Sequence, residues 1–210
     1  MKNERVEENL TRKLKNGIII SICMVLLLLS ACGAQREEAR FDAFRKTLAD
    51  AAVAVTAEVT ARDGENVTAF TLQCTETDEG YDIEVLAPEE IRGVRAHTDA
   101  DGVQMQFDDL VLPMPQAKDT VSPLMALPLV LEAARTGHLD LVWQEDCLVC
   151  QLVTDDNTAV RMYLNNDNTL TAAEVDVDGK TCVFCTITGW STEKSDLHES
   201  NDTNVGGDQS

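Results

Sequence analysis

The chain has 210 residues, of which 17 are basic and 37 acidic, and a formal net charge of −20. A protein this acidic repels the phosphates of nucleic acid and the anionic surface of a bilayer, so neither is expected to meet its folded face. With 44% apolar residues it can bury a sizeable core, and its length suits one domain with short appendages.

In chain order, Lys2, Arg5, Arg12, Lys13 and Lys15 precede an uncharged, largely apolar run from Ile18 to Leu29. This is the order of a basic n-region and an apolar h-region. As a helix such a run reaches only about 18 Å, short of the roughly 30 Å hydrocarbon core, so a permanent span is not expected. The run closes on Leu29-Ser30-Ala31-Cys32, and the sequence then turns polar. These residues resemble the bacterial lipobox, in which an aliphatic residue and two small ones precede a cysteine that is lipidated and becomes the mature N-terminus. The resemblance implies a signal peptide over residues 1–31 and a covalent lipid on Cys32, with acyl chains such as palmitate. It also implies a position on the outer face of the cytoplasmic membrane. Loss of the signal removes five basic residues and three acidic ones (Glu4, Glu7, Glu8), taking the net charge from −20 to −22. The membrane is therefore a partner through the lipid anchor and not through the domain face.

Phe41, Phe44, Leu48 and Ala52 repeat at helical spacing among Arg36, Glu37, Glu38, Arg45 and Lys46, which predicts an amphipathic helix over residues 35 to about 50. It begins within a few residues of the lipid, so the domain is expected close to the membrane. From residue 51 the texture changes to short β-branched runs. They are punctuated by Asp63-Gly64, Glu79-Gly80, Asp101-Gly102, Asp178-Gly179 and the Asn165 to Asn168 cluster, where Gly and Asn tolerate the positive φ of tight turns. The strands so delimited are 52–62, 66–77, 80–87, 91–99, 102–108, 139–143, 147–154, 158–165, 170–177 and 181–189, an antiparallel meander. Ser122-Pro123 reads as an N-cap followed by Pro at the first helical position. The apolar segment behind it runs to Arg135, and Gly137 is the expected stop. Pro128 predicts a kink, or a short turn followed by a helix from Pro128. Leu124, Met125, Leu127, Leu129, Val130 and Leu131 leave that helix little polar surface, so it must be covered or cover something. Residues 191–210 are poor in apolar side chains and read as a disordered acidic tail behind a domain of residues 32–190.

The order of helix, meander, apolar helix and meander resembles the LolA-like lipoprotein-carrier fold. "YDIEVLAPEEIRG" (Tyr81 to Gly93) is similar to the strand, proline, apolar residue and glycine pattern of Gram-positive lipoproteins of this type, and "FDDLVLPMP", "SPLMALPLVLEAARTG" and "CTITGW" resemble later landmarks. The resemblance implies an α+β domain in which a strongly curved antiparallel sheet, an unclosed half-barrel, packs on an N-terminal helix and a central apolar helix. It further implies a cavity between sheet and helices that takes a lipid or other apolar ligand, with Leu124, Met125, Leu127, Leu129, Val130 and Leu131 as its candidate lining. A second branch of this fold includes spore-germination lipoproteins that bind and regulate a cell-wall amidase. The alternative function is accordingly a protein-binding regulator of a cell-wall or spore-cortex enzyme, with an envelope protein as partner.

The remaining chemistry-bearing residues do not point to an enzyme. Cys147-Leu-Val-Cys150 and Cys182-Val-Phe-Cys185 have zinc-like spacing, but both intervals are β-prone and residues three apart on a strand face opposite ways. Together with Cys74 these thiols are an odd five, so no complete disulfide set is expected, and small core residues are the expected role. "EVDVDG" (Glu174 to Gly179) starts like a calcium loop, but its twelfth position is Cys185 where the bidentate Glu is required. His97, His138 and His198 have no nucleophile motif beside them. Neither a catalytic residue, a metal nor a cofactor other than the covalent lipid is expected.

Overall fold

The computed structural model describes residues 35–99, 102–107, 110–114, 121–155 and 157–194. The lipid site at Cys32, the signal peptide and residues 195–210 of the expected tail lie outside these. Residues 35–40 fall in one compact unit and Phe41 onward in a second, and the description below concerns the second.

Helix α1 spans residues 35–49. Phe41, Phe44 and Leu48 form its apolar stripe and are at most 3% exposed. Ala52, expected on that stripe, belongs instead to the first strand, which starts at Ala51. Among the described residues eleven strands form one antiparallel sheet: β1 (Ala51–Asp63), β2 (Asn66–Glu76), β3 (Tyr81–Ala87), β4 (Arg95–Asp99), β5 (Gly102–Phe107), β6 (Leu110–Met114), β7 (His138–Gln144), β8 (Leu148–Val153), β9 (Thr158–Leu164), β10 (Leu170–Val177) and β11 (Lys180–Lys194). Helix α2 (Ala126–Thr136) lies between β6 and β7 in sequence, behind a 3-10 turn at Pro123–Met125.

Three expectations need correction. The sheet is two meanders joined in the middle, with order β6-β5-β4-β3-β2-β1-β11-β10-β9-β8-β7, because β1 pairs with the distant β11 along eleven residue pairs. A run of hairpins in sequence cannot show this, since that pairing is non-local. The expected strand 91–99 starts only at Arg95, since Ile91 ends a 3-10 turn, and β6 is a strand where none of the expected ones lies. Finally β11 continues four residues beyond Trp190, pairing Ser191 to Lys194 with Ala54 to Ala51. The Asp178-Gly179 turn is as expected: both residues have positive φ, 51° and 72°, as a type I′ hairpin requires.

The ends of the sheet order, β6 and β7, are not hydrogen-bonded to one another, so the half-barrel stays open. Its inner face carries Val53, Val55, Ala57 and Val59 of β1 at alternate positions, each at most 1% exposed. A bulge opposite Thr56/Ala57 shifts the β11 register, with the Thr188 hydroxyl donating to the Thr56 carbonyl (3.2 Å). The shift turns Trp190 onto the inner face beside Phe44, ring centroids 5.9 Å apart.

Helix α2 lies against β8, β9, β10 and β11. Of the two outcomes expected at Pro128 the structure has the short turn followed by a helix, which starts at Ala126. Pro128 occupies its first turn, where an amide N–H has no intrahelical partner to lose. Ser122 makes no side-chain cap, so the 3-10 turn and not a capping hydroxyl leads the chain in. Gly137 ends the helix with φ −60°, not in the left-handed conformation. A Cβ there would lie 2.5 Å from the Ala133 carbonyl oxygen, so close approach is what demands glycine.

Two arginines tie the helix C-termini together. Arg45 of α1 donates to the carbonyls of Ala134 (2.8 Å) and Gly137 (2.7 Å), while Arg135 of α2 donates to the Leu48 carbonyl (3.1 Å). Each helix thus satisfies end carbonyls of the other, and cations sit where the helix dipoles are negative. Arg135 also binds Glu76 Oε2 (2.5 Å) and the Tyr81 hydroxyl (2.9 Å), and Glu76 accepts the Val53 N–H (3.1 Å). Burial pushes the Tyr81 phenol up to about 12.

Candidate functional site

Directly opposed residues of an antiparallel sheet share a face, so the register lists which side chains stand in one row. One inner-face row runs Trp190, Val55, Cys74, Ile83, Ala96, Met105, Leu112, crossing from β11 to the edge strand β6. Exposure along it rises from 0% at Cys74 through 3% at Ala96 to 44% at Leu112. Phe107 and Leu110, paired with one another beside it, are 46% and 56% exposed. The inner face therefore continues past the packed core as an apolar surface on β5 and β6. These residues were not singled out from sequence as site residues. The available signal was the run Leu110-Val111-Leu112 in "FDDLVLPMP", where Pro113 and Pro115 argue against a central strand but not against an edge one.

The six helical residues expected to line a cavity divide between two environments. Leu127, Val130 and Leu131 are 1% exposed and face the sheet. Opposite them the row Cys150, Met162, Ala173, Cys185 and Val59 is 0% exposed, so side chains already fill this contact. Leu124, Met125 and Leu129 are half-buried; Leu124 and Leu129 pack against the margin of the core, as do Val121, Ile91 and Val94. The apolar surface that remains open is thus contributed by these margins and by β5 and β6.

Five free thiols are present among the described residues. Cys74, Cys150 and Cys185 are core residues, whereas Cys147 and Cys182 are half-buried, so the two members of each CxxC face different surroundings. Burial pushes the Cys74 and Cys185 thiols up to about 12, with Glu76 and Asp82 adding to the effect at Cys74. Such thiols are protonated at neutral pH and are poor nucleophiles and ligands. Glu174 of the "EVDVDG" stretch is bound by Arg161 and by the Tyr163 hydroxyl (2.9 Å), and Asp176 by Arg161 (3.2 Å) and the Thr181 hydroxyl (2.6 Å). These carboxylates brace the outer faces of β9 and β10. His97 Nδ1 lies 2.6 Å from Asp82 Oδ1, with Nε2 3.8 Å from Asp99 Oδ2. His138 is exposed at the start of β7, and His198 lies outside the described residues.

No family model matches the chain, and no curated protein matches it. Among solved structures it is similar to a LolA-superfamily protein from Nitrosomonas europaea, at 11% identity over 78% of this chain and 94% of that one, with a TM-score of 0.43. It is similar also to a putative outer membrane lipoprotein-sorting protein domain from Vibrio parahaemolyticus (12% identity, 79% and 92% covered, TM-score 0.38). A chain in the complex of the CwlD amidase with the GerS lipoprotein from Clostridioides difficile is similar at 19% identity (78% and 95% covered, TM-score 0.32).

Proposed function

We propose that the chain is a lipid-anchored, extracytoplasmic binding protein with no catalytic role, and that it holds an acyl chain or similar apolar ligand on the open end of its inner face. The observation that supports this reading is the row from Cys74 to Leu112, along which one apolar surface passes from full burial into solvent. Apolar patches of this kind mark binding surfaces. Leu29-Ser30-Ala31-Cys32 supports the anchor at Cys32, and among the described residues no helix is long and apolar enough to cross a membrane.

The test is the fluorescence of cis-parinaric acid titrated into the processed chain made water-soluble by Cys32→Ser. Emission should rise saturably, and Leu112→Lys should weaken binding about tenfold or more, because a bound acyl chain would desolvate the ammonium. Leu141→Lys, at an exposed position on the opposite edge strand β7, should bind like the parent. An unchanged emission in the parent contradicts the reading.

The alternative, a protein-binding regulator, is favoured by one further feature of β6. Val111 on the outer face is 54% exposed, so this edge strand is apolar on both sides and, among the described residues, carries no strand beyond it. Such an edge is a template for another chain. A photo-crosslinker at position 111 that captures one envelope protein, in a chain that binds no fatty acid, would favour this alternative.

A further inference from the structure

The outer face of the same half of the sheet carries a polar groove of about 440 Å³ across β2 to β6, within the roughly 300–1,000 Å³ of small-molecule sites. Two rows of opposed residues build its floor. Thr75, Asp82, His97 and Gln104 are partners in turn across four strands, and Gln73, Glu84, Arg95 and Gln106 repeat the arrangement beside them. In each row an acid stands next to a base: Asp82 and His97 are 2.6 Å apart, and Glu84 Oε2 lies 3.7 Å from Arg95 Nε. In each row, too, carboxamides occupy the ends not taken by Thr75.

We propose that this groove binds a neutral oligosaccharide. An anion would meet Asp82 and Glu84, a cation would meet Arg95 and His97, and an apolar ligand would strip the water from both charged pairs. Sugar hydroxyls donate and accept at once, which suits a floor that mixes carboxylate acceptors, guanidinium donors and carboxamides that do both. Strands stand about 4.8 Å apart, so β2 to β6 offers roughly 19 Å of floor, room for a chain of sugar rings rather than one.

Calorimetry of the full chain, held in a polyoxyethylene detergent without sugar headgroups, tests this with the N-acetylglucosamine tetramer and maltotetraose as probes. At least one should bind saturably. Gln104→Ala with Gln106→Ala should weaken it about tenfold, the loss of roughly two neutral hydrogen bonds. Gln151→Ala on the exposed face of β8 should leave it unchanged. The single variants, each with its melting temperature measured, replace the double one if it does not fold. The proposal is overturned if neither probe binds, if only a charged glycan such as polygalacturonate binds, or if folded glutamine variants bind like the parent.

Discussion

At the scale of the residue, His97 gives a direct electrostatic readout. The hydrogen bond to Asp82 holds its imidazolium and raises its pKa, with the Asp82, Asp99 and Glu79 charges adding to the effect against some desolvation. The folded state therefore favours the protonated form. The resulting stabilisation is fully present below the unfolded value of about 6.5 and is lost as pH rises through the higher folded value. An NMR titration of the His97 ring should show a midpoint above the ordinary histidine range, and Asp82→Asn should move it down. An unmoved midpoint in the variant would remove Asp82 as the cause. Sequence alone showed His97 as one of three histidines with no motif. Asp82 sits fifteen residues back, and only the β3–β4 register stands it opposite His97, whereas Asp99 lies two ahead on the same strand and so on the same face.

At the scale of the element, the two arginines join the C-termini of the two helices to one another, and Arg135 joins them to β2 and β3 of the sheet. Arg135→Met should cost about 2–3 kcal/mol, since it leaves the Glu76 carboxylate, only 21% exposed, without its cation. Chemical denaturation measures this, and Glu76→Gln in the same background should recover part of the loss by removing the stranded charge. Equal stability of parent and Arg135→Met would show that apolar packing alone seats α2. What was legible at this scale follows from periodicity. Phe41, Phe44 and Leu48 announced α1, and the valines of β1 announced its alternation. The apolar content of α2 was equally plain, but content cannot separate Leu127 and Val130, spent on the core, from Leu124 and Leu129 at its margin. β6 was illegible for a different reason: a proline removes a ladder donor and argues against a central strand, yet an edge strand tolerates it.

At the scale of the molecule, hairpin signals and two helical segments announced an antiparallel sheet with helices, and the resemblance to the LolA-like fold implied that the sheet stays unclosed. The structure is an α+β fold with an open antiparallel sheet. The order of strands was not accessible, because joining β1 to β11 depends on contacts between the two ends of the domain. The candidate site was half accessible for the same reason. Where an inner face stops being core depends on how far the helices reach across it, and residues such as Phe107, Leu110 and Leu112 carry no local mark of being left uncovered. The proposed anchor at Cys32 would hold the apolar surface of β5 and β6 on a membrane-bound chain. Native mass spectrometry of the lipidated chain, extracted from membranes under mild conditions, reads both at once. The account predicts a covalently lipidated species beginning at Cys32 that retains a noncovalent apolar adduct, and loss of that adduct in Leu112→Lys. A folded parent chain without adduct, or a variant that keeps it in full, would contradict the account.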